Sequence, residues 1–250
     1  MSSALAALAF APGLAIGSFL NVVAARVPLK RSLVHPGPEC MACSAPIAWY
    51  DNIPVVSYFV LRGKCRNCGE KIGLVYPVVE LISAVLIVAC LLEFGLTFEG
   101  AIAAFFCCVL VAISAVDIAH RIVPDRIVLP ATAIVLVAQT IRDPSPEWIL
   151  AAFGAALFLF LAVLVYPAGM GMGDVKLALL MGAALGKLVS VALLVAMVSS
   201  LVPAVYLLAR HGRAARKMGI PFAPFLALGS IVALFFGEPL LDAYLGLLAP

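Results

Sequence analysis

The chain has 250 residues, of which 65% are hydrophobic and only 12% charged, with a formal net charge of +3. Ordinary globular domains carry about 25% charged residues, so this composition excludes a soluble protein with a large core and points to an integral membrane protein. The small net charge identifies no partner by itself; its distribution along the chain carries the information.

A membrane-crossing helix needs about 20 mainly apolar residues. Eight candidates follow one another, at 4–25, 74–92, 99–118, 127–141, 147–166, 174–187, 188–209 and 222–244. The first has no basic region before it, and the first positive charge, Arg26, comes after the apolar run. That order is wrong for a cleaved secretory signal, so the run reads as a retained helix. The sixth is short: its fourteen residues reach roughly 21 Å against a hydrocarbon core of about 30 Å, which predicts a helix that starts inside the membrane boundary and is shielded by its neighbours. The expected fold class is an all-α polytopic membrane protein of about eight transmembrane helices with a small cytoplasmic zinc-ribbon-like loop domain.

Charge sets the orientation. With the N-terminus outside, the inner segments 26–73, 119–126 and 210–221 carry Arg26, Lys30, Arg31, Arg62, Lys64, Arg66 and Lys71, then Arg121 and Arg126, then Arg210, Arg213, Arg216 and Lys217. The outer loops hold Glu93, Glu99, Asp143 and Glu147, with Arg142 and Lys187 as their only basic residues. This positive-inside asymmetry predicts both termini on the outer, periplasmic side. The basic cluster at 210–217 reads as an inner loop able to touch anionic membrane lipid; nothing points to nucleic acid, and the oligomeric state is not legible.

The long polar segment carries two CxxC pairs, Cys40/Cys43 and Cys65/Cys68, with twenty-one residues between them. Two knuckles at this spacing suit a closed four-thiolate structural Zn2+ site, and a cytoplasmic location argues against stable disulfides. Such a site leaves no open position for substrate. Cys90, Cys107 and Cys108 lie in apolar runs and read as small buried hydrophobes.

Two carboxylates then stand at ends of apolar runs on the same side: Asp117 in ISAVDIAHRIVPD and Asp174 in AGMGMGDVKLALL (168–180). An ionisable residue in a membrane segment is a functional candidate. Two neighbouring carboxylates in a low-dielectric site share a proton, so that one activates water and the other polarises a carbonyl. Gly171 and Gly173 allow a sharp turn and close approach, Lys176 follows two residues after Asp174, and Asp125 closes the first motif. Other readings of the residues stay open at this point. Asp117 and Asp125 could be interfacial charges paired with Arg121 and Arg126; Asp174 could cap a helix; and a transporter or channel could use the acids as a relay beside a zinc-bearing loop. There is no HExxH, and GMGMG does not follow a strand, so metalloprotease and dinucleotide-binding readings fail.

The motifs taken together resemble the type IV prepilin peptidases, membrane aspartic proteases of the GxGD type. GLAIGSFLNVVAARVP (13–28), the cysteine segment, YPVVEL (76–81), VDIAHRIVPD (116–125), GMGDVKLALLMGAALG (171–186) and IPFAPFLALG (220–229) follow one another in the family's order. The resemblance implies that Asp117 and Asp174 are the catalytic pair, supported by Gly171, Gly173, Asp125 and Lys176. It implies prepilin and pseudopilin substrates, cleaved after the glycine of a short basic leader at the cytoplasmic face of a bacterial inner membrane. It further implies S-adenosyl-L-methionine-dependent N-methylation of the new terminus, a peptidase without that activity being the alternative. For the methyl-transfer step, Gly63, Lys64, Glu70 and Glu80 are candidate cofactor-binding residues, with Glu39 and Asp51 the other inner acids at hand. Val75 departs from the pattern, standing where the family often has a basic residue. The implied organisation is a first helix (1–25), a zinc-binding, methyltransferase-associated loop (26–73) and a membrane-embedded peptidase core (74–250).

Overall fold

The structure is a computed structural model that describes residues 7–166, 170–212 and 219–248. The first residues of the expected opening span, Ala168 and Gly169 of the glycine-rich turn, and Arg213, Arg216 and Lys217 of the third inner loop lie outside the described residues.

All eight expected helices are present: α1 (Phe10–Arg26), α2 (Val75–Phe94), α3 (Phe98–His120), α4 (Asp125–Arg142), α5 (Glu147–Val165), α6 (Met172–Leu185), α7 (Val189–His211) and α8 (Ala223–Leu248). Among the described residues, five helical runs are long and apolar enough to cross a membrane: α2, α3, α5, the run Met172–His211 formed by α6 and α7, and α8. A single 3-10 turn, Gly186–Leu188, joins α6 to α7. α1 is apolar but shorter, with 17 residues. α4 carries Asp125 in its first turn and Arg142 in its last, charges that favour the two ends of the helix dipole.

The chain divides into two compact units, Met1–Ala115 and Val116–Pro250. In the first, α1 packs against α2 along a stripe repeating every four residues. A Cβ placed on Gly13 would lie 2.8 Å from the Ala84 Cα, and one on Gly17 would lie 2.6 Å from the Glu80 Cα. One step further on, the Asn21 side chain donates to the Tyr76 carbonyl at 3.0 Å. Small residues spaced this way let two membrane helices approach backbone to backbone; the GxxxG of Gly13 and Gly17 was readable in the sequence. Val79, Val111 and Ala115 form the apolar centre of this unit, with Leu20, Ala24 and Leu86 packed on it. Cys90 and Cys107 are buried between α2 and α3 as free thiols, their sulfurs 3.8 Å apart.

In the second unit α6 is the central helix. Asp174, Val175, Leu177, Ala178 and the whole run Leu180–Leu185 are buried, so the shortest helix is screened from lipid by its neighbours. The Gln139 amide of α4 donates to the Ala184 carbonyl at 2.9 Å. At this end Lys187 donates its N–H to Glu147 at 2.9 Å and its ammonium pairs with Glu238 at 3.2 Å. The aspartates lie at the other end of α6.

Candidate functional site

Asp117 sits in the last turn of α3, which closes when the Arg121 N–H donates to the Asp117 carbonyl at 2.8 Å. Arg121 takes a left-handed conformation (φ 56°), and residues 121–124 then lead into α4. The Asp117 carboxylate is buried, 6% exposed, and its Oδ2 accepts the N–H of Ala223 at 3.1 Å. Ala223 is the first residue of α8, so Asp117 satisfies one of that helix's orphan donors at its positive end. Nothing in the residue pattern announces this bond. IPFAPF offers only a backbone N–H, and the available signal was prolines flanking a helix start.

Asp174 lies in the first turn of α6 and is 8% exposed. It is not the N-cap: Gly171 holds that position, and Asp174 stands three residues in. Its Oδ2 accepts the Gly171 N–H at 3.3 Å, while its own N–H donates to the Gly171 carbonyl at 3.1 Å. This is the carboxylate half of a capping box, the only half available to a glycine N-cap. The two glycines of the motif differ. A Cβ on Gly173 would lie 2.8 Å from the Val123 Cβ, whereas one on Gly171 would meet nothing closer than 3.7 Å. Gly173 alone is the point of close approach, and it brings the start of α6 against the 121–124 segment that follows Asp117.

Both carboxylates line one cavity of about 230 Å³, together with Arg121, Asp125 and Lys176. Asp125 takes Lys176 rather than a neighbouring arginine, its Oδ1 accepting from the Lys176 Nζ at 2.6 Å. This pair is half-exposed and tethers the start of α4 to α6 from the rim. The cavity gathers two buried carboxyl groups in one space at a helix boundary.

The cysteine loop of the first unit folds as two copies of one knuckle. Cys40 and Cys65 donate their N–H groups to the Ala45 and Glu70 carbonyls (2.9 and 2.8 Å), and accept from the Ser44 and Gly69 N–H groups (2.8 and 3.0 Å). The Sγ atoms of Cys40, Cys43, Cys65 and Cys68 lie within 4.8 Å of one another, all as free thiols. Thiolates about 2.3 Å from a tetrahedral ion stand roughly 3.8 Å apart, and Cys40 and Cys68 are separated by 3.8 Å. The donor set and its geometry fit a structural metal. The Ala45 backbone and then the Asn67 side chain hold the Cys43 thiol down to about 6, and the Cys68 and Asn67 backbones also lower Cys65. Beside the second knuckle, Arg66 grips Asp51 through two bonds of 2.6 and 2.7 Å, which hold the Asp51 carboxyl below its usual range.

Ser44 and Gly69 occupy the same place in the two knuckles, with φ 55° and 72°. A non-glycine residue there costs about 1 kcal/mol or more. Ser44→Gly is therefore expected to slow metal loss to a chelator, and Gly69→Val to speed it; metal release followed by a colorimetric dye reads both.

Of the remaining candidates, Gly63, Lys64 and Glu70 lie in the second knuckle. Lys64 bridges Lys71, and the Gly63 carbonyl accepts from the Ile72 N–H at 2.8 Å. Glu80 is buried on α2, where its Oε2 accepts the Val55 N–H at 2.7 Å.

Residues 12–94 match the family model described as the bacterial peptidase A24 N-terminal domain, and residues 104–208 match the type IV leader peptidase family. The chain is similar to the prepilin leader peptidase/N-methyltransferase of Bacillus subtilis (strain 168), 34% identical over 239 residues that cover 93% of this chain and 95% of the relative. Similar proteins of the same name occur in Xanthomonas campestris pv. campestris, 33% identical with 93% and 92% covered, and in Pseudomonas aeruginosa, 32% identical with 93% and 91% covered. No solved structure matches the chain. With the matched regions running from α1 into α7 and taking in both the cysteine knuckles and the two buried aspartates, the chain belongs to the type IV leader peptidase family.

Proposed function

We propose that this protein removes the short basic leader of prepilins and pseudopilins after its terminal glycine, using Asp117 and Asp174, and then N-methylates the residue so exposed. One observation carries the peptidase reading: two buried carboxylates, from the end of α3 and the start of α6, line a single cavity. The ionised member of the pair takes a proton from a water whose oxygen attacks the glycine carbonyl carbon. The protonated member gives its proton to the carbonyl oxygen. As the tetrahedral diol collapses, one of its hydroxyls returns a proton to the ionised member of the pair, the C–N bond breaks, and the leaving amine takes up the proton of the other member. Products are a leader carboxylate and a free amine, and the pair ends in its starting protonation state. Gly173 sets the approach of the two motifs; Gly171, Asp125 and Lys176 hold the turn and rim around them.

A prepilin has a basic leader and an apolar helix, so its scissile bond lies near the inner interface of a bacterial inner membrane. Positive-inside charge puts the aspartate end at that face and both termini outside. The peptidase core is residues 74–250, and the loop 26–73 serves the second step. Cys40, Cys43, Cys65 and Cys68 would hold a structural Zn2+ that fixes the two knuckles. S-adenosyl-L-methionine would supply the methyl group. Gly63, Lys64 and Glu70, gathered in one knuckle, are the residues we assign towards it, with Glu80 bracing the loop from α2.

The test gives the purified chain in nanodiscs a prepilin whose basic leader ends in glycine, and reads masses. The expected product has lost the leader and gains one methyl group when S-adenosyl-L-methionine is added; stripping the metal should lower methylation while cleavage persists. A substrate left intact would overturn the peptidase reading, and cleavage without any methylation would leave the peptidase alone.

A further inference from the structure

The loop between α1 and α2 carries a short turn with a strongly apolar exposed face. Residues Val56–Val60 form one helical turn. Val56, Phe59 and Val60 lie on one face of it and are exposed, Phe59 to 71%, and Trp49 just before it is 81% exposed. On the opposite face Ser57 is buried.

The depth of this turn is fixed by a hydrogen bond. Val55 donates its N–H to Glu80 at 2.7 Å. Glu80 is five residues into α2, roughly 7 Å along a helix whose 20 residues span about the thickness of the hydrocarbon core. It also faces Gly17 of α1, roughly 13 Å from the Arg26 end. Because a helical side chain leans back towards the N-terminal end, the Glu80 carboxylate holds the turn level with the first turns of α2.

A segment at that depth must satisfy its own backbone, and side chains here supply several of the bonds. The left-handed Val55 is served by Glu80; the Ile53 N–H donates to Ser57 Oγ at 3.0 Å, and Ser57 Oγ donates to the Tyr50 carbonyl at 3.0 Å. The two buried polar side chains answer part of the irregular backbone, and the exposed side chains are mainly apolar, Trp49, Tyr50, Ile53, Val56, Phe59 and Val60, with Asn52 as the exposed polar one. Trp49 and Tyr50 have the amphipathic rings typical of membrane interfaces, and Arg62, Lys64 and Arg66 follow within a few residues.

We propose that residues 49–60 form a re-entrant wedge seated in the headgroup–acyl boundary of the leaflet on the metal-knuckle side, with anionic lipid as its partner. Arg66 is taken by Asp51, so the exposed Arg62 and Lys64 are the residues that complement phosphate headgroups, and Val75 and Val78 at the start of α2 are exposed as well.

The emission of Trp49, taken as wild type minus Trp49→Phe, tests this in the full chain reconstituted in bilayers containing phosphatidylglycerol. Lipids brominated just below the glycerol are expected to quench roughly half of it, lipids brominated near the chain ends much less, and aqueous iodide little. In phosphatidylcholine alone, iodide access should rise. Phe59→Glu with Val60→Glu should expose Trp49 to iodide while the metal content stays unchanged. Full iodide access with no bromine quenching in the wild type would overturn the wedge, as would indifference to the double substitution. Equal protection in both lipids would overturn the anionic partner. Shielding that appears only after a prepilin is added would assign the surface to a protein instead.

Discussion

Asp117→Asn and Asp174→Asn are each expected to lower leader removal by about a thousandfold or more, with the protein still folded. General acid–base groups contribute about 10² to 10⁴ each, and a shared-proton pair fails as a unit when one member can no longer ionise. Asparagine is the informative replacement here. Its amide oxygen can still accept the Ala223 N–H in place of Asp117, or the Gly171 N–H in place of Asp174. Asn and Asp serve equally well as caps, so a merely structural aspartate would tolerate the change. Cleavage rates by mass spectrometry, with thermal unfolding measured alongside, separate the two roles: retained cleavage in either variant would remove that residue from the chemistry. Asp125→Asn breaks a half-exposed ion pair with Lys176 instead and should cost far less.

Gly173→Ala is expected to cost about a hundredfold in cleavage while Gly171→Ala stays within a few-fold of wild type. The added methyl at position 173 would lie 2.8 Å from the Val123 Cβ. That atom is fixed to the backbone two residues after the left-handed Arg121, so it cannot swing aside. Relief needs roughly 1 Å of separation between the start of α6 and the 121–124 segment, and a misplacement of that size costs about 10² in rate. Gly171 has an ordinary extended backbone (φ −83°, ψ 150°) and open space around it; alanine there weakens only the helix cap, by about 1 kcal/mol at most. Pairing Gly173→Ala with Val123→Gly should restore part of the lost rate. Equal losses at both glycines would show that close packing is not what the motif supplies.

The eight helices were legible because each apolar run is bounded by charge or by glycine and proline, and lipid punishes any other arrangement. The cysteine knuckles were legible from spacing. The aspartates stood out because a carboxylate amid apolar residues needs a partner or a task. What escaped the sequence has a common cause. The Ala223 N–H that meets Asp117 is a backbone group 106 residues away, and no side chain announces it. Asp125 stood beside Arg121 and Arg126 but pairs with Lys176, 51 residues on, because helix packing and not sequence proximity decides which cation reaches it. The apolar turn at Val56–Val60 is too short to register as a membrane element. Only its bond to Glu80 reveals its level.

The stripe between α1 and α2 works as a ruler. Gly13, Gly17 and Asn21 meet Ala84, Glu80 and Tyr76 in three matched rungs, one helical turn apart. A slip by one rung, four residues, moves α1 about 6 Å along its partner. In either direction it trades the Asn21–Tyr76 bond for a mismatch, with Asn21 opposite Glu80 or past the first turn of α2. The notches accept one setting, and that setting fixes how high Arg26 rides relative to the start of α2. α1 takes its height from its neighbour, and the chain that leaves it towards the cysteines begins from a fixed elevation.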